Sequence, residues 1–555
     1  MNNTIHLFWQ AINADKQNRS LLKAFVIAGL ATMIVGGVFA LLLLLVRVPA
    51  FSMLSANTYY QALTGHGIFM FILWFSFIQV TFLIIAGTVL MKTRLWSYPI
   101  AWVGFGLMVF AVGLALAGVL SGASITYHGA IPLAEQYSPA WMIYLSFIVL
   151  TLGMLIISAD FIMTIISAVE KKFSLTSWAL FLKAIPIATF AAITGLFIAV
   201  PGLIASLKTF LPALWWALGW GDIHPEMYRM NWHVAFHIYH YIPALTLVGV
   251  AYVLVELCAD AQSVYSKKLA KGLFLLYPLF VPPTFLYHLL VDPNIPQGIK
   301  FVGTTLSLLV GTPTLLHMFV IFGMLETRFK SAGYGRFEWL RHLPWKNPAF
   351  GSMMMGLITL FVGGLLSYLT LQQTLAPLLH NTFAVPAYVH AIAAGGANLM
   401  YMGALYYAVP LLWGRPLWGM KLARAQVYLL GIGLLWMSIF GVAAGLSGVM
   451  RRYAFVGQET TNAGTQWMNL SLGVGGTISL LAILLFLLVM LVSVLRKPID
   501  DNLNTLNLAS SIAPATLIIK RSPVALIPPL MFIVGILVMT FLAFHWLRSL
   551  SIYGG

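Results

Sequence analysis

Apolar residues in this chain come in long unbroken runs separated by short polar stretches. Runs of about twenty residues, the length a helix needs to cross the hydrocarbon core of a bilayer, can be marked thirteen times. They lie at approximately 24–46, 62–90, 97–120, 139–166, 178–206, 231–257, 271–291, 299–325, 348–373, 384–412, 425–448, 466–495 and 522–547. No internal repeat or low-complexity linker divides them. The pattern predicts an all-α polytopic bundle of about 13 transmembrane helices, with residues 1–555 forming one integral-membrane domain.

Composition agrees: of 555 residues, 61% are hydrophobic and 8% charged, too few charges to solvate a surface. A net charge of +16 could suggest nucleic acid, but the basic residues sit in the short loops between runs, which reads as membrane orientation. Lys16, Arg19, Lys23, Arg94, Lys171, Lys267, Arg328, Lys346, Arg415, Arg424 and Arg496 fall on one side with most of the others. Arg47, Lys208, Arg229, Lys300, Arg451, Arg452 and Arg548 fall on the opposite side. The bias predicts a cytoplasmic N-terminus and an outer C-terminus, in a cytoplasmic membrane. The polar stretch Met1 to Ser20 does not read as a cleavable signal peptide ahead of the first run.

Cys258 is the one cysteine. That excludes disulfides, a zinc ribbon, a c-type haem attachment and a dinuclear copper site with bridging thiolates within this chain. Any bound metal must rely on histidine. With the second, sixth and tenth runs directed inward, His66, His233, His237, His240 and His390 share a layer with His288 of the seventh run. At 1.5 Å per residue that layer lies roughly 5–15 Å below the outer surface. Ionisable residues at such depth are functional candidates.

The surroundings of these residues sharpen the reading. His66 has glycine on both sides, leaving room for a large flat ligand. His390 follows Tyr388 by two residues, about 200° around a helix, so the pair points to opposite sides of one rod that could stand between two cofactors. His66 and His390 can serve as the two axial ligands of a low-spin haem; the alternative is hydrogen bonding to neighbouring helices. His233, His237 and Tyr241 repeat every fourth residue along one helical face, either a metal ligand beside a phenol or a polar seam. Tyr287-His288 stands just before Asp292-Pro293. Arg451 and Arg452 suit haem propionates, because guanidinium forks match carboxylates. His6, His128, His224, His342 and His545 read as loop or interface residues, and no partner for Asp160 or Glu256 can be named.

From about Tyr60 to Glu459 the chain resembles the catalytic subunit of haem–copper terminal oxidases (the cytochrome c oxidase subunit I family), most closely the B-type, ba-type branch. The carriers are Tyr287-His288-Leu-Leu-Val-Asp-Pro, Leu343-Pro-Trp-Lys-Asn-Pro-Ala-Phe, His380-Asn-Thr-Phe-Ala-Val-Pro-Ala-Tyr-Val-His, and Arg451-Arg452. The resemblance implies His66 and His390 as ligands of a low-spin, b-type haem, and a second, high-spin haem beside copper. It implies His237 as the first copper ligand with Tyr241 in the place of the tyrosine linked to it, His288 as the last copper ligand, and His380 near the propionates of the second haem. Tyr252, Thr314 and His317 fall where the family runs a proton path. Two positions depart: the family has histidine where this chain has Tyr287 and Tyr388. Both touch the reaction centre and neither touches the low-spin haem.

The resemblance implies a respiratory oxidoreductase of aerobic electron transport, passing electrons through the bis-histidine haem to a haem–copper centre that reduces oxygen to water. A nitric-oxide reductase-like enzyme is an alternative. So is a haem-b electron-transfer, sensor or assembly protein without a working oxygen site, which the two tyrosines favour. A pure transporter would leave the histidine layer without a purpose. The implied partners are membrane lipid and a subunit II carrying the electron-entry site, with cytochrome c, a small copper protein or quinol as donor; nucleic acid is not among them.

Overall fold

A computed structural model describes residues 3–46, 55–125, 139–172, 184–261, 267–290, 295–372, 375–452 and 463–497, with Val534 alone beyond them. The described chain is all-α, and ten of its helical stretches are long and apolar enough to cross a membrane. Helix α1 (Asn3–Asn13) precedes the first of these, α2 (Lys16–Val46). The second crosses as α3 (Ala56–His66), a π-helical stretch over Gly67–Leu73, and α4 (Trp74–Gly87). There follow α5 (Tyr98–Leu120), α6 (Ala140–Lys172), α7 (Ile187–Ala217) and α8 (Pro225–Ala259). After two short helices, α9 (Lys267–Phe274) and α10 (Leu276–Phe280), come a 3₁₀ stretch (Pro282–Leu289), α11 (Gln297–Leu309) and α12 (Gly311–Lys330). The chain continues through α13 (Trp339–His342), α14 (Pro348–Leu371), α15 (Ala376–Leu379) and α16 (Ala384–Val389). A second π-helical stretch, His390–Ala397, then leads into α17 (Asn398–Trp413), α18 (Met420–Leu446) and α19 (Ala463–Leu495).

Three of the predicted runs take a different form. The fifth, expected over 178–206, starts at Ile187 because Pro186 fixes an extended residue (φ −58°, ψ 150°) at the helix entrance. It then continues through Pro201 and Pro212 to Ala217, so Lys208 stands on an exposed helical face rather than in a loop. The seventh, expected over 271–291, is three short pieces. Pro278, Pro282 and Pro283 remove amide donors there, and losing them so close together breaks the ladder. The tenth, 384–412, holds its length but contains the π-helical stretch. The thirteenth, 522–547, lies outside the described residues apart from Val534.

Hairpin neighbours α5 and α6, α7 and α8, and α18 and α19 pack along one another. In lipid, where tails are as apolar as leucine, close van der Waals approach does this work. The α5–α6 crossing shows it: a Cβ on Gly153 would sit 2.8 Å from the carbonyl oxygen of Gly104. Large apolar side chains such as Phe110, Leu120, Phe197 and Leu495 remain exposed, as a lipid-facing surface requires.

Basic and acidic groups tie the opposite end together. The Asp15 carboxylate accepts from the Gln17 and Asn18 amides at 3.1 Å, from Arg94 Nε at 3.1 Å and from the Tyr98 hydroxyl at 2.5 Å. Arg19 Nε donates to the Leu412 carbonyl and Lys23 lies over the Trp413 ring. Asp160 accepts from the Ser97 amide at 2.9 Å, which gives that buried carboxyl the partner its sequence context did not name. Glu256 lies within electrostatic range of Lys267.

Candidate haem and metal sites

His66 closes α3 and His390 opens the π-helical stretch ahead of α17, and their ring centroids are 6.2 Å apart with planes within 9°. A metal–imidazole bond is about 2 Å and a ring nitrogen lies about 1 Å from its ring centre, so imidazoles on opposite faces of one metal have centres about 6 Å apart. Direct stacking would bring the rings much closer. The remaining nitrogens are anchored: His66 Nδ1 lies 3.3 Å from the Gly36 carbonyl and His390 Nδ1 lies 2.6 Å from the Pro386 carbonyl. A carbonyl can only accept, so Nδ1 carries the proton in both rings and Nε2 is the nitrogen each could give to iron. Ligating histidines are commonly oriented in this way. Gly36 is required by the approach of α2, since a Cβ there would meet Met70 Cγ at 2.5 Å. The pair therefore fits a six-coordinate haem iron.

A second group forms where the chain before α16 meets the turn after α18. Thr382 bridges to Met450, the Phe383 amide donates to the Val449 carbonyl at 2.7 Å, and the Arg451 amide donates to the Asn381 carbonyl at 3.1 Å. This pairing sets Arg451 Nη2 3.4 Å from His380 Nδ1 and 3.2 Å from Asn381 Oδ1. His380 Nε2 in turn lies 3.2 Å from His288 Nδ1, and the His288 ring is nearly parallel to that of His233, with centroids 4.7 Å apart. Burial, followed by the Arg451 guanidinium, pushes His380 down to about 3, so it is neutral. A guanidinium can only donate. His380 therefore accepts at Nδ1 and can donate from Nε2 to His288 Nδ1. Arg452 adopts left-handed φ +62° and with Arg229 stands within electrostatic range of both His233 and His380.

Tyr241 lies beside Thr284 and within electrostatic range of Tyr388. Tyr388 is buried on α16, so it looks toward α8 while His390, two residues on, looks toward His66, as the helical spacing predicts. The side chains of His237, His240 and Tyr287 lie outside the described part of the structure. Among the described residues no three His, Cys, Asp or Glu side chains converge as a metal site. Tyr252 Oη lies 3.0 Å from His317 Nδ1, and Tyr277 Oη lies 2.8 Å from Thr314 Oγ1 one turn away. His317 is fully buried, with Nε2 lacking a hydrogen-bond partner.

The interface histidines also find places. His224 caps α8 by accepting from the Met227 amide, His342 stacks on Tyr334, and His6 pairs with Gln10. His128 and His545 lie outside the described residues. Sequence reasoning missed the Gly36 and Pro386 carbonyls and the closeness of Arg229 to the second group. A backbone acceptor leaves no mark in a side-chain pattern.

The fold is similar to that of a haem–copper terminal oxidase dimer seen by cryo-electron microscopy, with TM-score 0.75 and 20% identity over 98% of this chain and 92% of that one. Cytochrome c oxidase subunit 1 of Thermus thermophilus is 28% identical over 452 residues, 78% of this chain and 77% of the relative. A shorter Thermus thermophilus sequence of the same name is 35% identical over 102 residues, 18% of this chain and 94% of its own length. Residues 20–478 match the family model described as Cytochrome C and Quinol oxidase polypeptide I. The chain belongs to the cytochrome c and quinol oxidase polypeptide I family, and it is a multi-pass membrane oxidoreductase subunit of the terminal-oxidase type.

Proposed function

We propose that His66 and His390 bind one low-spin, b-type haem through Nε2, and that electrons enter the chain there on the way to a second centre that reduces oxygen to water. The observation that carries this is the 6.2 Å separation of two near-parallel imidazoles whose Nδ1 atoms are held by carbonyls. A haem supplies a one-electron carrier; the chain's part is to fix both tautomers and exclude water. Arg451 and Arg452 are assigned to the haem propionates. Around the second centre, His237 and His288 are assigned as copper ligands, Tyr241 as proton and electron donor, and Tyr388 as the residue under a high-spin haem. His380 orients His288. Tyr252 and His317, with Tyr277 and Thr314 beside them, offer a route for protons from the inner side.

The chain acts as a single integral-membrane domain in the cytoplasmic membrane, N-terminus inside and C-terminus outside. Cys258 cannot build a dinuclear thiolate copper centre alone, so a subunit II, or quinol directly, delivers electrons from cytochrome c, a small copper protein or the quinone pool.

One observation favours a second reading. Arg451 stands beside His380 Nδ1 and His380 Nε2 beside His288 Nδ1; a proton passed along that line would rest His288's own on Nε2, where a metal ligand needs a lone pair. With Tyr388 in place of an imidazole, this suits a haem-b electron-transfer protein without a working oxygen site. Carbon monoxide separates the two, because it binds only an open ferrous position. For the oxidase reading the reduced spectrum is expected to shift on adding carbon monoxide, with copper present in the purified complex. No shift and no copper would leave electron transfer as the function.

A further inference from the structure

The helices that carry His66 and His390 share a departure from regularity that the ligand assignment does not use. Each widens into a π-helical stretch at the histidine: Gly67–Leu73 directly after His66, and His390–Ala397 beginning at the other ligand. Each returns to an α-helix eight residues past its histidine, at Trp74 and at Asn398. The amides of these two residues close the last wide turns, Trp74 onto the Phe69 carbonyl and Asn398 onto the Ala393 carbonyl. Their side chains then meet. Trp74 Nε1 donates to Asn398 Oδ1 at 2.9 Å, with the residues 0% and 2% exposed.

A π-helical turn is a rare and strained form that occurs mostly as single bulges, often at functional sites. It lets the segment before it rotate relative to the helix after it, so the direction of each imidazole is uncoupled from the rod below. Two such turns on facing helices would relax independently unless something joined them. A buried, fully desolvated hydrogen bond is costly to break when one partner is left unsatisfied, and this one joins the two closing residues.

We infer that the Trp74–Asn398 hydrogen bond latches the paired π-helical turns and so holds the His66 and His390 ring planes parallel. Both are positioning residues for the low-spin haem, and the inference rests on the bis-imidazole reading above. The angle between axial imidazole planes governs the g-values of a ferric low-spin haem, which supplies a readout independent of turnover. In the purified complex, Trp74→Phe is expected to shift the largest g-value away from that of parallel rings while haem is retained. Asn398→Leu, which keeps the branching at Cγ and removes the carbonyl, is expected to do the same, and reads the latch if Trp74→Phe does not accumulate. Tyr406→Phe removes a buried hydrogen bond of the same kind farther along α17, from Tyr406 Oη to Gln426 Oε1 at 2.6 Å, and is expected to leave the spectrum unchanged. Latch variants with g-values superimposable on the wild type, or a shift equally large in Tyr406→Phe, would overturn the latch alone. A wild-type protein lacking a low-spin bis-imidazole signal would overturn the haem assignment, and the latch with it.

Discussion

At the scale of single residues, the arrangement is one of carbonyls aiming imidazoles. The Gly36 carbonyl reaches His66 only because α2 passes close to Met70, with no room for a Cβ. Gly36→Val is expected to push α2 outward and release the His66 Nδ1–H. Loss of such an outer partner commonly costs 10–100-fold in metal affinity, so haem retention during dilution should weaken by about tenfold, with His390 still anchored on its own helix. Unchanged haem retention would show that the carbonyl does not orient the ring. The imidazoles themselves were legible in the sequence, because hydrocarbon makes every ionisable residue conspicuous. Their acceptors were not, since a backbone carbonyl belongs to every residue alike.

At the scale of elements, length alone marks most membrane helices, and the runs near 97–120, 348–373 and 466–495 match observed helices closely. The π-helical stretches were not legible, because an inserted residue shifts a periodic pattern and an all-apolar run has no pattern to shift. The broken seventh run was signalled by its prolines but hidden by its hydrophobicity. Where polar groups tie elements together, pH becomes a probe. Burial acts to raise the Asp15 carboxyl, but the Tyr98 hydroxyl, the Asn18 amide and Arg94 outweigh it and hold it below the ordinary carboxylate value. Its contribution to joining α2 and α5 is therefore complete above the ordinary carboxylate pKa, about 3.9, and lost as pH falls through its own lower value. Thermal unfolding of the detergent-solubilised protein is expected to lose stability in that acid window, and Asp15→Asn to lack that part of the loss. Identical pH profiles for the two proteins would contradict this.

At the scale of the whole molecule, the bundle gathers histidines from separate helices into two groups with different fates. His66 and His390 have the spacing and anchored tautomers that one iron requires. His233, His288 and His380 form the other group, with Arg451 beside His380. The sequence places His66, His233, His288 and His390 in one layer, but which ring meets which depends on how distant helices pack, and no local pattern carries that. The claim that two helices grip one iron is tested most directly by spectra of the purified complex with each ligand removed in turn. His66→Ala and His390→Ala are each expected to abolish the same six-coordinate low-spin haem signal, with added imidazole restoring it in both. A low-spin signal that survives unchanged in either variant would contradict the account.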